Sequence, residues 1–85
     1  MKEFSYVIKD SLGIHARPAG LLVKKASTFK SDITILKNQK AVDLKKIFGI
    51  MSLGAKQGEQ ITIKISGEDE EEALAAIEEF IKENL

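Results

Sequence analysis

Ile61-Thr62-Ile63-Lys64-Ile65 alternates apolar and polar residues, and an acidic run, Glu68-Asp69-Glu70-Glu71-Glu72, follows it. The alternation sets three β-branched side chains on one face of a strand. The acidic run reads as a solvated helix start. Behind it, residues 70–84 carry Ala73, Leu74, Ile77, Phe80 and Ile81 on one helical face. Asp69 and Glu72 have the spacing of a capping box, and the acidic first turn complements the helix dipole. A half-buried strand passing into an amphipathic helix describes an α+β chain whose helices cover one side of a sheet.

The same two periods recur upstream. Phe4, Tyr6 and Ile8 alternate with polar or smaller residues, as do Ile33 and Ile35. Both sets predict strands. Lys37-Asn38-Gln39-Lys40 predicts a hairpin turn into a short fourth strand over residues 41–43. Residues 16–27 place Ala19, Leu22, Val23 and Ala26 at helical spacing, with Pro18 in the first turn, where a missing N–H costs nothing. Residues 46–53 form a short helix stopped by Gly54. The order is β-α-β-β-α-β-α, and one antiparallel sheet covered on one face is its economical solution. Pattern alone leaves the strand order open, and a ferredoxin-like arrangement shares the first six elements.

Length and composition limit what this chain does. Its 85 residues make one domain, 1–85, and 44% apolar with 31% charged residues is a globular balance. There is no apolar run of membrane-spanning length, and Met1-Lys2-Glu3-Phe4-Ser5-Tyr6 lacks the apolar core of a signal peptide. No Cys and one His exclude disulfides and ordinary zinc sites, so no metal is expected. Thirteen basic and thirteen acidic residues cancel, which leaves no bulk footprint for nucleic acid. The balance is uneven: residues 37–64 hold Lys37, Lys40, Lys45, Lys46, Lys56 and Lys64 against Asp43 and Glu59.

The single histidine stands between the end of a strand and the start of a helix, in Gly13-Ile14-His15-Ala16-Arg17-Pro18-Ala19. The amides of Ala16 and Arg17 have no carbonyl partner there, and with the helix dipole they favour an anion. Arg17 adds a guanidinium fork that suits phosphate oxygens. Gly13 permits a tight approach before the site. Two readings stand side by side. His15 is a nucleophile beside a phosphate cradle, hence a phosphohistidine, or it merely caps the helix while Arg17 is solvated.

The short helix raises a second question. Its apolar residues nearly encircle it, and a short helix cannot bury every side. Ile50 and Leu53 are expected to face the core, leaving Ile47, Phe48 and Met51 partly exposed beside Lys24, Lys45 and Lys46. An apolar patch ringed by lysines suits acidic partner faces and fast, transient complexes.

Over essentially its whole length the chain resembles the histidine-containing phosphocarrier (HPr) family of the bacterial phosphoenolpyruvate-dependent sugar phosphotransferase system. Two segments carry the likeness: Gly13 to Ala19, quoted above, and Lys45-Lys46-Ile47-Phe48-Gly49-Ile50-Met51-Ser52-Leu53-Gly54. The Gly58-Glu59 turn and the acidic start of the last helix add to it. The resemblance implies an open-faced sandwich with strand order 1-4-2-3 and three helices on one face. It implies that His15 takes a phosphoryl group on Nδ1 from enzyme I and passes it to IIA domains of sugar permeases, with Arg17 steadying the group. It implies partner contacts at Gly20, Leu21, Lys24, Lys45, Ile47, Phe48 and Met51. The protein is then a cytoplasmic carrier rather than an enzyme, monomeric, without cofactor, and not inserted in the membrane. Such a carrier must hold phosphate without overstabilising it, since tight ground-state binding would raise the barrier to onward transfer.

One departure stands out. Many family members have a Ser at the start of the short helix, which an ATP-dependent kinase phosphorylates. Here the position is Lys46, so no regulatory serine is expected, and Ser52 occupies a different place in the motif. Two rival readings remain: the same fold kept as a regulatory or docking module without sugar transport, and a ferredoxin-like small-ligand or RNA-binding domain. The sheet lacks the interleaved aromatic pairs that RNA readers use.

Overall fold

The computed structural model describes residues 1–85 throughout. β1 (Lys2–Val7), α1 (Ala16–Ala26), β2 (Asp32–Lys37), β3 (Lys40–Asp43), α2 (Ile47–Leu53), β4 (Gln60–Ser66) and α3 (Glu70–Asn84) follow in the expected order. Each expected helix boundary, and the start of the short strand β3, falls within one residue. The strands lie in the order β1-β4-β2-β3, every neighbouring pair antiparallel. This is the order the family resemblance implies.

β4 is central because it has the most to bury. Ile63 is flanked by Phe4 of β1 and Ile35 of β2. Ile61, Ile63 and Ile65 are fully buried. They share one core with Leu22 and Ala26 of α1, Ile50 and Leu53 of α2, and Ala73, Ile77 and Ile81 of α3. All three helices therefore cover the same face of the sheet. The other face is open and mostly polar, lined by Glu3, Leu36, Asn38, Gln60, Thr62 and Lys64. Lys37 pairs with Lys40 across the hairpin, and Asn38 takes the left-handed backbone the turn needs, with φ 57°.

The expected capping box does not form. Asp69 precedes α3, but its side chain makes no bond to that helix. It accepts instead from the backbone N–H of Lys30 at 2.8 Å and of Ser31 at 2.9 Å, and from the Ser31 hydroxyl. One carboxylate that satisfies three donors of another segment gains more than one that caps a single amide. The capping role shifts by two residues: Glu70 Oε1 accepts from the Gly67 N–H at 3.2 Å.

The Ser31 hydroxyl and the Lys30 amide hold the Asp69 carboxyl below the usual range. The Lys37 ammonium and the Lys56 amide do the same for Glu59, and the Gly67 amide with the N-terminal ammonium for Glu70. A carboxyl depressed in the folded state stabilises the fold above its unfolded value and loses that contribution as pH falls through the folded one. The melting temperature should therefore drop as pH falls from about 5 to about 2. Asp69→Asn should melt lower at neutral pH and show a shallower drop, as calorimetry at stepped pH would read. An unchanged pH slope in the variant would remove Asp69 from this account.

Candidate functional site

The loop from β1 to α1 is tied down at nearly every peptide. Ile8 N–H donates to the Glu59 carbonyl at 3.0 Å, and Gly58 N–H returns to Ile8 at 2.8 Å. Asp10 N–H donates to the Leu85 carbonyl at 2.8 Å, Gly13 N–H to the Asp10 carbonyl at 2.9 Å, and Ile14 N–H to the Ala55 carbonyl at 3.0 Å. Gly13 has φ 66°, and any Cβ there would overlap the Ala55 carbonyl and lie 2.9 Å from Lys56 Cα. The turn presses on the 55–56 backbone so closely that only glycine fits.

This loop delivers His15 to the head of α1 as its N-cap, in an extended conformation with φ −105° and ψ 177°. The imidazole makes no capping hydrogen bond, so its role is not that of a cap. It is 35% exposed. Ala19 N–H pairs with the His15 carbonyl at 3.0 Å, Pro18 has no N–H, and the amides of Ala16 and Arg17 have no partner within the chain. Arg17 is exposed and enters no ion pair. His15, Arg17, Asp10, Pro18, Leu21 and Asn84 line one open cleft of about 230 Å³. No three His, Asp or Glu side chains gather into a metal-holding cluster, and no helix is long and apolar enough to cross a membrane.

The apolar surface lies alongside. Phe48 is 86% and Met51 40% exposed, while Ile47 is half-buried and Ile50 and Leu53 are in the core, the division the sequence suggests. A Cβ on Gly20 would sit 3.7 Å from Ile47 Cδ1, so α1 and α2 meet there, and Gly20 and exposed Leu21 continue the patch. Lys24 and Lys46 are exposed at its rim. Lys45 departs from expectation: its Nζ donates to the Phe29 carbonyl at 2.8 Å, which makes it a structural clamp rather than a free rim cation.

Two more lysines are occupied in the same way. Lys37 Nζ donates to the Leu53 and Gly54 carbonyls at 3.2 and 3.1 Å, and Lys40 Nζ to the Ser52 carbonyl at 3.0 Å. The β2–β3 hairpin thus supplies the cations that satisfy the C-terminal carbonyls of α2, whose own last turn has none. At its other end Lys46 is the N-cap, extended at φ −119° and ψ 109°, with no capping bond. Lys46→Ser should stabilise the fold by about 0.5–2 kcal/mol in urea titrations, because a hydroxyl accepts from the first turn and an ammonium cannot. A variant no more stable than wild type would show that the turn is already satisfied by water.

Asp10 and Asn84 line the cleft in addition to the residues the sequence points to. The Asp10-Ser11-Leu12-Gly13 turn signature was the only local hint of Asp10.

A family model described as "PTS HPr component phosphorylation site" matches residues 2–83. The chain is 48% identical to phosphocarrier protein HPr of Mycoplasma genitalium over 85 residues, covering 99% of this chain and 97% of the relative. Among solved structures, a mycoplasma histidine-containing phosphocarrier protein superposes with TM-score 0.94 at 43% identity, covering 96% of this chain and 93% of that one. HPr of Thermoanaerobacter tengcongensis superposes with TM-score 0.91 at 48% identity, covering 96% and 92%, and that protein is also solved as a dimer. Fold and strand order agree with these comparisons, and the match runs over nearly the whole chain: the chain belongs to the HPr family, the phosphocarriers of the phosphotransferase system.

Proposed function

We propose that His15 accepts a phosphoryl group on Nδ1 from phosphorylated enzyme I and donates it to IIA domains of sugar permeases. One observation carries this reading. The imidazole sits on the N-cap without capping, half-open to solvent, next to two amides that have no other partner. The Ala16 and Arg17 amides and the Arg17 guanidinium supply donors for the phosphoryl oxygens. The site is shallow, which suits a carrier: the group must be held, released, and reached by a partner that closes over it. The protein works as a covalently loaded carrier in the cytoplasm, as a monomer, and turns over no substrate of its own.

The test is incubation of the purified protein with enzyme I and labelled phosphoenolpyruvate. An acid-labile, base-stable phosphate on His15 is expected, and no label at all would overturn the reading. Phosphorylation without restored sugar uptake in a carrier-deficient strain would mark a docking module instead.

Docking is assigned to Gly20, Leu21, Lys24, Ile47, Phe48 and Met51, with Lys45 acting through the backbone it clamps. Phe48→Ala should weaken association with enzyme I by about tenfold or more while the melting temperature barely moves, because so exposed a ring contributes little to the core. A stability loss on the order of 3 kcal/mol would mark Phe48 as a core residue. Lys46 has no hydroxyl, so the kinase that modifies the serine of other family members has no acceptor at this position.

A further inference from the structure

Asp10 Oδ2 lies 3.7 Å from His15 Nε2, and no other carboxylate oxygen lies within 4 Å of either ring nitrogen. The carboxylate is firmly placed. Its other oxygen, Oδ1, accepts from the Leu12 N–H at 2.9 Å. The Asp10 main chain is bonded on both sides, to Leu85 at 2.8 Å and to Gly13 at 2.9 Å. Arg17 shares the cleft with the pair. Lys9, Lys82 and Glu83 line the adjoining cleft on the far side of Asp10. This is the bonding of an Asx turn, and it fixes where the carboxylate lies. It leaves one oxygen facing the imidazole nitrogen that the proposed chemistry does not use.

We propose that Asp10 is a positioning residue for the phosphoryl acceptor. It holds the proton of neutral His15 on Nε2 and so leaves the lone pair on Nδ1. This rests on the reading of His15 given above. A neutral imidazole has one N–H and one lone pair, and the nitrogen that faces a carboxylate keeps the proton. The 3.7 Å separation is longer than a direct hydrogen bond. Contacts of this kind shorten when the reacting complex forms.

The balance of the step gives Asp10 a second part. The Nδ1 lone pair attacks the phosphorus of a phosphohistidine donor whose ring carries a proton on its other nitrogen. The donor N–P bond breaks, its electron pair returns to the donor nitrogen, and the donor is left as a neutral imidazole. No proton moves. His15 then carries phosphate on Nδ1 and hydrogen on Nε2, so its ring is a cation, and the Asp10 carboxylate is the counter-charge beside it.

Asp10→Asn separates this role from the turn. The amide oxygen still accepts from the Leu12 N–H, which turns the NH₂ group toward Nε2. A donor there makes Nε2 an acceptor and moves the ring proton to Nδ1, where it blocks attack. The experiment is ¹H–¹⁵N NMR of the His15 ring at a pH of roughly 8.5 or above, where imidazole is neutral, combined with the rate of phosphoryl uptake from enzyme I. Wild type should show the Nε2–H tautomer. Asp10→Asn should move toward Nδ1–H and take up phosphate about tenfold more slowly, with unchanged affinity for enzyme I. Asp10→Ser, whose hydroxyl also accepts from the turn, should lose the tautomer preference and slow uptake too, which guards against a single variant that misfolds. The same tautomer in wild type and Asp10→Asn, or uptake at the wild-type rate in both variants, would overturn the proposal. Absence of any phosphate on wild-type His15 would sink the carrier reading by itself, while the ring spectra would still decide whether Asp10 controls the tautomer.

Discussion

His15→Ala should remain folded, bind enzyme I, and take up no phosphate. The loss of transfer is expected to exceed a factor of about 10³, because covalent capture disappears with the nucleophile. The chain has no second imidazole to replace it. Stability should stay within about 1 kcal/mol of wild type, since Ala at an N-cap is costly only where the lost side chain was capping. Here it was not: the ring forms no bond to its helix. Labelled transfer from phosphoenolpyruvate, thermal melting and a binding titration give the three readings. Label retained in His15→Ala would mean that another residue carries the group.

Gly13→Ala should show the opposite pattern, with a large loss of stability and an indirect loss of transfer. An Ala at φ 66° pays a backbone penalty, and its Cβ would overlap the Ala55 carbonyl, which already accepts from the Ile14 N–H. The loop cannot back away, because Ile8, Asp10 and Ile14 are all bonded to distant segments. Strain and displacement together should cost about 2–4 kcal/mol. For a domain of this size that is a fall in melting temperature of roughly 10–25 °C. In molecules that stay folded, His15 should be displaced and transfer slower. A variant with near wild-type stability would show that the 55–56 turn yields easily.

Strand faces and helix stripes were legible because each depends on neighbours within a few residues. Ile61, Ile63 and Ile65 announce a buried face wherever their strand ends up, and Ala73, Ile77 and Ile81 do so for α3. The strand order came from the family resemblance, because the pairing of Phe4 with Ile63 joins residues no local pattern connects. The site divides along the same line. His15 and Arg17 flank Ala16 at a helix start, so their chemistry could be read directly. Asn84 reaches the cleft only through the topology, and Asp10 is aimed at it by the turn that precedes His15. Side-chain reach was the least legible feature. Nothing local says that Lys45 stretches to the Phe29 carbonyl, or that Asp69 turns away from its own helix toward Ser31.

The pairing of β1 with β4 also sets a timetable. The first strand leaves the ribosome before its partner exists, and its only ladder is to residues Gln60–Ser66. The loop that carries His15 waits on the same late material: Ala55, Glu59 and Leu85 provide its anchors. Contacts so distant in sequence form late during folding. A nascent chain displays the histidine long before it has a scaffold to aim it, and the ring is aimed only when α3 has docked. On the reading proposed for His15, chains that lack α3 and its Leu85 anchor should take up no phosphate.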